Sequence, residues 1–466
     1  MIQIKAERPR TEDIARMDTI SLIAKYDRAV PRYTSYPTAP HFSTAIDGGV
    51  YARWLRALPE DAALSLYLHV PFCASLCRFC ACHTTVVNRP EPLELYGITL
   101  MAEIDLVADV IGGHRAVRHI HWGGGTPTQL PADTMLAVMR RLRARFDVAP
   151  DAEIAVEIDP RTLGDDSLTV LAAMGTNRVS LGVQDFDPNV QDAINRHQSL
   201  ALTEDCATRL RSVGIDAINL DLIYGLPYQT TAGVIETVRQ ALGLKPSRAA
   251  VFGYAHVPWM KKHQALIPDA SLPNTAERFA QRQAIEATFL AHGYTLIGLD
   301  HFALPDDALA QAAAGSRLRR NFQGYTTDAA DVLIGLGASS IGAVPQGYIQ
   351  NHPGVPAWRD AVRDGVLPIA RGVALTDADR ARRAIIEQLM CHLTANPFEI
   401  AADSGIDPAD LADAEPALRN LETDGLLERD GHRVTVTGRG RPFVRTIAAA
   451  FDCYLARGTA RHSVAV

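Results

Sequence analysis

The chain has 466 residues, 47% of them hydrophobic and 21% charged, with a formal net charge of −7 and a pI near 6.1. This composition suits one large domain with smaller terminal pieces and excludes an overall basic field for nucleic acid. No run approaches the ~20 apolar residues of a membrane helix. Met1 to Arg10 is charged without an apolar stretch, so no signal peptide is expected and the location is expected to be cytoplasmic.

Residues 1–55 are expected to form an arm over the active site. Within it, Val30-Pro-Arg-Tyr-Thr-Ser-Tyr-Pro-Thr-Ala-Pro40 carries three prolines and two tyrosines and cannot be regular helix. Apolar, β-branched runs at 64–70, 117–122, 153–158, 178–183, 217–222 and 249–255 read as buried strands. Segments 93–110, 132–146, 202–213 and 232–242 between them read as helices. Six such units predict an α/β fold: parallel strands covered by helices and rolled by right-handed crossovers into a partial, three-quarter (β/α)6 barrel. A seventh run, 294–299, adds a further strand, and the barrel with its extension occupies 56–364. From 365 to 466 the pattern changes. Helices are predicted at 378–393, at 408–424 with a break at Pro416, and at 443–457, and a hairpin on Asp430-Gly431. This predicts a small, mostly helical, winged-helix-like C-terminal domain.

Seven cysteines occur, four of them within ten residues: Cys73, Cys77, Cys80 and Cys82. A tight cluster in a reducing compartment points to metal or redox chemistry rather than to disulfides. Cys73-Ala-Ser-Leu-Cys77-Arg-Phe-Cys80 follows the first strand directly. It suits a zinc site completed by Cys82 or His83, or an iron–sulfur cluster. A four-iron cluster bound through three thiolates would leave one iron open to a substrate's donor atoms.

C-x3-C-x2-C after the first strand of such an array resembles the radical S-adenosylmethionine superfamily. The resemblance implies one [4Fe–4S] cluster on Cys73, Cys77 and Cys80. It also implies reductive cleavage of S-adenosylmethionine to a 5′-deoxyadenosyl radical. In a parallel barrel the working residues collect at the carboxyl ends of strands. The predicted strands end at or just before Cys73, His121-Trp-Gly-Gly-Gly-Thr-Pro127, Glu157, Gln184-Asp-Phe186, Asp221 and Tyr254-Ala-His256. The glycine run allows close backbone approach to a ligand or simply a tight turn. Glu157 and Asp221 are carboxylates in apolar strands and need partners, either a structural salt bridge or a cationic cofactor with its ribose diol.

The match narrows further along nearly the whole chain. Pro31-Arg-Tyr-Thr-Ser-Tyr-Pro-Thr-Ala39, Tyr67-Leu-His-Val-Pro-Phe-Cys73, Cys80-Ala-Cys82, Gly182-Val-Gln-Asp-Phe186, Asp221-Leu-Ile-Tyr-Gly-Leu-Pro227, Asp300-His-Phe-Ala-Leu-Pro-Asp-Asp307 and Arg320-Asn-Phe-Gln-Gly-Tyr-Thr-Thr327 together resemble the oxygen-independent coproporphyrinogen III oxidase family. The resemblance implies an oxidoreductase of porphyrin and haem biosynthesis that decarboxylates two propionates of coproporphyrinogen III to vinyl groups, giving protoporphyrinogen IX. It also implies two molecules of S-adenosylmethionine. By residue matching, their contacts are Tyr67, Phe79, Gly124, Gly125, Thr126, Glu157, Gln184, Arg196, Asp221, Ala255 and Ile341. Cys82 falls near the second molecule, or is a buried small hydrophobe.

The substrate carries four propionates, so Arg32, Arg319 and Arg320 are candidates for its carboxylates, or are solvated surface arginines. Tyr33 and Tyr36 either flank the flat tetrapyrrole or pack the arm on the barrel, and residues 20–40 are expected to cover the barrel's open side. Arg78, Ala81 and the stretch 351–364, read as a surface loop, depart from the family pattern. Two alternatives remain, a haem chaperone and a radical protein acting on haem. Cys82 and the arm argue against the chaperone. The resemblance implies a monomer that needs an electron donor and an electron acceptor, neither of which the sequence names.

Overall fold

The computed structural model describes residues 20–26 and 28–455. Residues 1–19, Asp27 and 456–466, which include the charged amino terminus and the end of the helix expected at 443–457, lie outside them.

The organising pattern is an alternation with period two. In β1 (Leu64–Val70), Leu64, Leu66, Leu68 and Val70 are buried against helices, while Ser65, Tyr67 and His69 take the other face. The same beat runs through β2 (Ala116–Gly124), β3 (Asp147–Ile158), β4 (Arg178–Gln184), β5 (Ala217–Tyr224) and β6 (Arg248–Gly253). It places His119, His121, Glu153, Glu157, Ser180, Asn219 and Asp221 inside the barrel. Helices Pro90–Ile111, Ala132–Arg145, Asp165–Ala173, Leu200–Ser212, Thr231–Gly243 and Thr275–Ala291 follow the six strands in turn. Their starts are chemically marked. Ser199 and Thr230 accept backbone N–H groups, and Asn274 with Glu277 forms a capping box.

Beyond β6 come β7 (Thr295–Ile297), β8 (His301–Ala303), β9 (Arg319–Asn321), β10 (Gly324–Thr326), β11 (Val332–Leu336), β12 (Ile341–Val344), β13 (Gly347–Asn351) and β14 (Ile369–Ala374). One twelve-stranded sheet runs β14-β13-β12-β11-β1-β2-β3-β4-β5-β6-β8-β7, and β9 pairs with β10 apart from it. The six predicted strands are parallel neighbours in chain order. The run at 294–299 supplies β7, an antiparallel edge strand. The seventh parallel strand is β11, on the other side of β1. The two ends of the sheet do not pair, so the barrel stays open. The sheet also runs past the expected boundary at 364, because β14 pairs with β13.

The C-terminal piece starts at Asp377–His392, whose capping box is Thr376 with Asp379. Pro416 marks the change from a 3-10 turn, Pro408–Ala414, to the helix Glu415–Thr423. The hairpin is β16 (Leu427–Asp430) with β17 (Arg433–Val436), and β15 (Thr394–Ala395) adds to its edge. The arm sews this piece to the barrel. Leu22, Ile23, Tyr26, Val30, Tyr33 and Tyr36 share a core with Ile385, Leu389, Val444 and Phe451, and Ser43 bridges to Gly372 of β14.

The stretch 351–364 is no surface loop. Asn351 and Trp358 are fully buried, and both donate to the buried Glu103, at 2.6 and 3.0 Å, while the Gly337 amide donates at 2.7 Å. Burial lifts the Glu103 carboxyl to about 7 against these three bonds. An unfolded glutamate titrates near roughly 4.3. Between the two values the folded state holds a proton that the unfolded chain releases, so this group's contribution to stability falls as pH rises and is gone above about 7. Glu103→Ala is expected to remove that slope in urea denaturation between pH 5 and 8. It should also lower stability by roughly 3 kcal/mol, because three buried donors lose their acceptor.

Candidate active site

The cysteine loop leaves β1 at Pro71 and is pinched at its neck. Phe72–Cys73 pairs with Thr85–Val86, and Val87 N–H donates to Cys73 O at 3.1 Å. The glycine run of β2 closes the other side. Gly125 N–H bonds Val70 O at 2.8 Å, Thr126 N–H bonds Phe72 O at 2.7 Å, and the Thr126 hydroxyl lies 3.7 Å from Cys73 Sγ. A Cβ on Gly125 would sit 2.5 Å from Phe72 O, and one on Gly124, at φ +115°, 2.7 Å from the His69 ring. Glycine is needed here to pack the strand end onto the loop.

Among the described residues no three His, Cys, Asp or Glu side chains are placed to hold a single metal ion. The thiols of Cys73, Cys77 and Cys80 instead line a cavity of 170 Å³. Phe79, Gly124, Gly125, Thr126, Glu157, Gln184, Arg196 and Asp221 line it with them. Tyr67, Ala255 and Ile341 are not among its lining residues. Tyr67 stacks on His121 with its hydroxyl 3.0 Å from His69 Nδ1. Burial first, then the charge of Glu157, raises its phenol. Three thiols around a volume, with Cys82 beside them, fit a polynuclear cluster.

Two guanidinium groups serve the thiols. Arg196 Nη1 lies 3.5 Å and Arg161 Nη2 3.6 Å from Cys77 Sγ, and both pair with Asp159, at 3.2 and 2.6 Å. The Arg196 Nε is buried without a partner among the described residues. Across the cavity the two carboxylates differ. Burial would raise Glu157, but the hydrogen bond and charge of His121, with the Gly124 amide, outweigh it and hold its carboxyl below the ordinary value. Asp221 accepts hydrogen bonds from Ser180 and Asn219; burial and then repulsion from Glu157 push it to about 6. Gln184 is held at φ +70° beside an irregularity in the β4–β5 register, which aims its side chain at the cavity. Asp159, Arg161, Ser180 and Asn219 were not singled out from sequence. The first two stand in Glu157-Ile-Asp-Pro-Arg161 directly after β3, and strand parity marks the others.

A second chamber of 310 Å³ fills the barrel interior and shares Cys82, Glu157, Ser180 and Asp221 with the first. The Cys82 thiol is hydrogen-bonded to Cys80, which pulls Cys80 down and Cys82 up. At the far rim, Arg32 lies over Phe252 and donates to Gly253 O at 2.8 Å. Arg320 packs 4.4 Å from the Tyr325 ring centre and donates to Arg32 O at 3.2 Å, while its Nε and Nη1 are buried without partners among the described residues. Burial opposes ionisation of Asp300, yet His301, Arg320 and Arg32 hold it at about 2. Arg319 points away, half-exposed beside Glu387 at 3.8 Å. Tyr33 and Tyr36 are buried against the C-terminal piece, with their hydroxyls on Asp452 at 3.0 Å and Cys453 at 3.3 Å. Their packing partner is that piece rather than the barrel wall.

Residues 67–241 match the Radical SAM superfamily, and residues 375–443 match the HemN C-terminal domain. An oxygen-independent coproporphyrinogen III oxidase of Bradyrhizobium diazoefficiens is 50% identical over 440 residues, spanning 94% of this chain and 98% of its own. The counterpart of Escherichia coli K12 is 39% identical, with 94% and 95% covered. The solved Escherichia coli coproporphyrinogen III oxidase (HemN), described as a Radical SAM enzyme, superposes with a TM-score of 0.88 at 38% identity, covering 93% and 98% of the two chains. Joined to a cysteine-lined cavity at the carboxyl ends of parallel strands, these likenesses establish that the chain belongs to the family of oxygen-independent coproporphyrinogen III oxidases.

Proposed function

We propose that the two joined chambers divide the work of this family's reaction, the first holding the radical-generating cofactors and the second the porphyrinogen. The chain is an oxidoreductase that converts two propionates of coproporphyrinogen III to vinyl groups, giving protoporphyrinogen IX. The observation that carries the division is the shared wall of Cys82, Glu157, Ser180 and Asp221.

The chemistry supplied there by a [4Fe–4S] cluster and S-adenosylmethionine is a 5′-deoxyadenosyl radical that removes a propionate β-hydrogen. In this reading Cys73, Cys77 and Cys80 ligate the cluster, with Arg161 and Arg196 donating toward the Cys77 sulfur. Phe79, Gly124, Gly125, Thr126, Glu157, Gln184, Arg196 and Asp221 hold the S-adenosylmethionine, its sulfonium favoured by the ionised Glu157 and its ribose by Asp221. Tyr67, Ala255 and Ile341, outside the lining of that chamber, complete the contacts to two S-adenosylmethionine molecules, with Cys82 near the second. Arg32 and Arg320 receive substrate carboxylates at the rim, with the arm as its cover. Arg319, Tyr33 and Tyr36 are the weaker substrate candidates, since one faces outward and two are held in the C-terminal core. Each decarboxylation takes in one electron from a donor and releases one to an acceptor. A cytoplasmic monomer completes the reading; no helix among the described residues is long and apolar enough to cross a membrane.

The decisive experiment is anaerobic reconstitution with iron and sulfide, then reductant, S-adenosylmethionine and coproporphyrinogen III. Protoporphyrinogen IX is expected. Intact cofactor cleavage with no product, or tight haem binding without turnover, would remove the substrate assignment. Serine at Cys73, Cys77 or Cys80 is expected to abolish both iron loading and cofactor cleavage. Cys82→Ala should keep its iron but lose decarboxylation by at least ~10-fold, about 1.4 kcal/mol in the barrier. Arg32→Gln should raise KM for coproporphyrinogen ~10-fold with iron content unchanged, by loss of a charge-assisted carboxylate contact.

A further inference from the structure

We infer that Arg161 is a positioning residue that acts through Cys77: its N–H on that sulfur raises the reduction potential of the cluster the three thiols hold. This rests on the radical reading above, whose first step is a one-electron reduction of that cluster.

Arg161 stands in the 3-10 turn Pro160–Thr162, directly after β3. Pro160 fixes the backbone where the chain leaves the strand. The Asp159 side chain caps the turn, accepting the Arg161 backbone N–H at 3.1 Å. The same carboxylate grips the guanidinium, with Nε 2.9 Å from Oδ1 and Nη2 2.6 Å from Oδ2. A planar fork held at two points keeps little rotamer freedom. The other N–H of Nη2 is thereby left for Cys77 Sγ, 3.6 Å away. Burial opposes the charge of Arg161, but the hydrogen bond and charge of Asp159 outweigh it and raise its pKa above the ordinary value. The donor at Cys77 is a fixed cation.

The two arginines at this sulfur are not equivalent. Arg196 reaches Cys77 Sγ with Nη1 at 3.5 Å, but its Nε is buried without a partner among the described residues. That leaves Arg196 a donor for a ligand in the cavity, whereas the Nε and Nη2 of Arg161 are both committed to Asp159 and Cys77. The three sulfurs differ as well. Cys73 has the Thr126 hydroxyl at 3.7 Å, and Cys80 has the Cys82 thiol. Lys261 acts on Cys80 only through its field, since its ammonium donates to Cys82 O at 2.7 Å. Cys77 carries the guanidinium donors, with Arg161 and Arg196 against Asp159, two cations to one anion. Hydrogen bonds to the sulfurs and local charge are what set the potential of an iron–sulfur cluster. Reduction adds one negative charge to the cluster and its thiolates. A cationic N–H donor therefore stabilises the reduced form more than the oxidised form.

The test is a redox titration of the full-length reconstituted protein, followed by electron paramagnetic resonance. Neither S-adenosylmethionine nor tetrapyrrole is added, so the result is independent of turnover and of the substrate assignment. Arg161→Gln is expected to keep its iron. At a given applied potential its ratio of reduced to oxidised cluster should fall ~10-fold, a shift of about 59 mV to lower potential for one electron. Arg161→Lys keeps the charge but loses the fork, and its potential should lie between the two. An Arg161→Gln protein with normal iron and an unchanged potential would overturn the inference. Loss of iron from Arg161→Gln with a normal potential in Arg161→Lys would make the residue structural and overturn it too. Loss of iron from Arg161→Gln with a lowered potential in Arg161→Lys would uphold it. An unsubstituted protein that assembles no four-iron cluster would overturn the radical reading itself.

Discussion

A parallel strand whose outward residues are leucine, isoleucine and valine must send its alternate residues inward, and in this molecule those residues are polar. Ser65, His121, Glu157, Ser180, Asn219 and Asp221 all lie on that inner beat. A closed barrel fills its centre with apolar layers. Here the unpaired sheet ends leave the centre open, and polar side chains face a cavity in place of a core. Buried carboxylates are tolerated only with partners, so each inward acid brings a neighbour with it: His121 for Glu157, Arg178 for Glu153, Ser180 and Asn219 for Asp221. The chambers and their electrostatics are consequences of one periodicity.

The cysteine loop depends on a second constraint, close approach. Its neck is held by strand-like pairing and by backbone bonds from Gly125 and Thr126, which a side chain at Gly125 would prevent. Pinching the loop there turns three cysteines spread over eight residues into one wall of a cavity. The asymmetry across that cavity is chemically useful. Arg161 and Arg196 stand beside the Cys77 sulfur, the Glu157 carboxyl is held below its ordinary value, and Asp221 is pushed up to about 6.

The arm and the C-terminal piece act together. Tyr33 and Tyr36 hold the arm in the C-terminal core, and that anchorage sets Arg32 on the carboxyl end of β6, where Arg320 grips its carbonyl. A cationic rim on an acidic protein is therefore assembled from three remote stretches of chain.

Much of this was legible in the sequence. The six strands, their order, the three-cysteine motif and most of the residues lining the first chamber follow from local apolar runs and from resemblance, because strand period and motif spacing are local properties. The family is written in long strings that need no geometry. Other features are not local. The stretch 351–364 reads as a loop until Glu103, some 250 positions earlier, turns Asn351 and Trp358 into buried donors. Strand β11 becomes the seventh parallel neighbour only by pairing with β1. Tyr33 and Tyr36 read equally as substrate or packing residues until Asp452 and Cys453 come within hydrogen-bond distance. The amino-acid sequence determined which side chains alternate, where the cysteines stand and which family the chain joins. The tertiary structure decided which distant groups satisfy each buried polar atom, because that depends on pairing across the chain rather than along it.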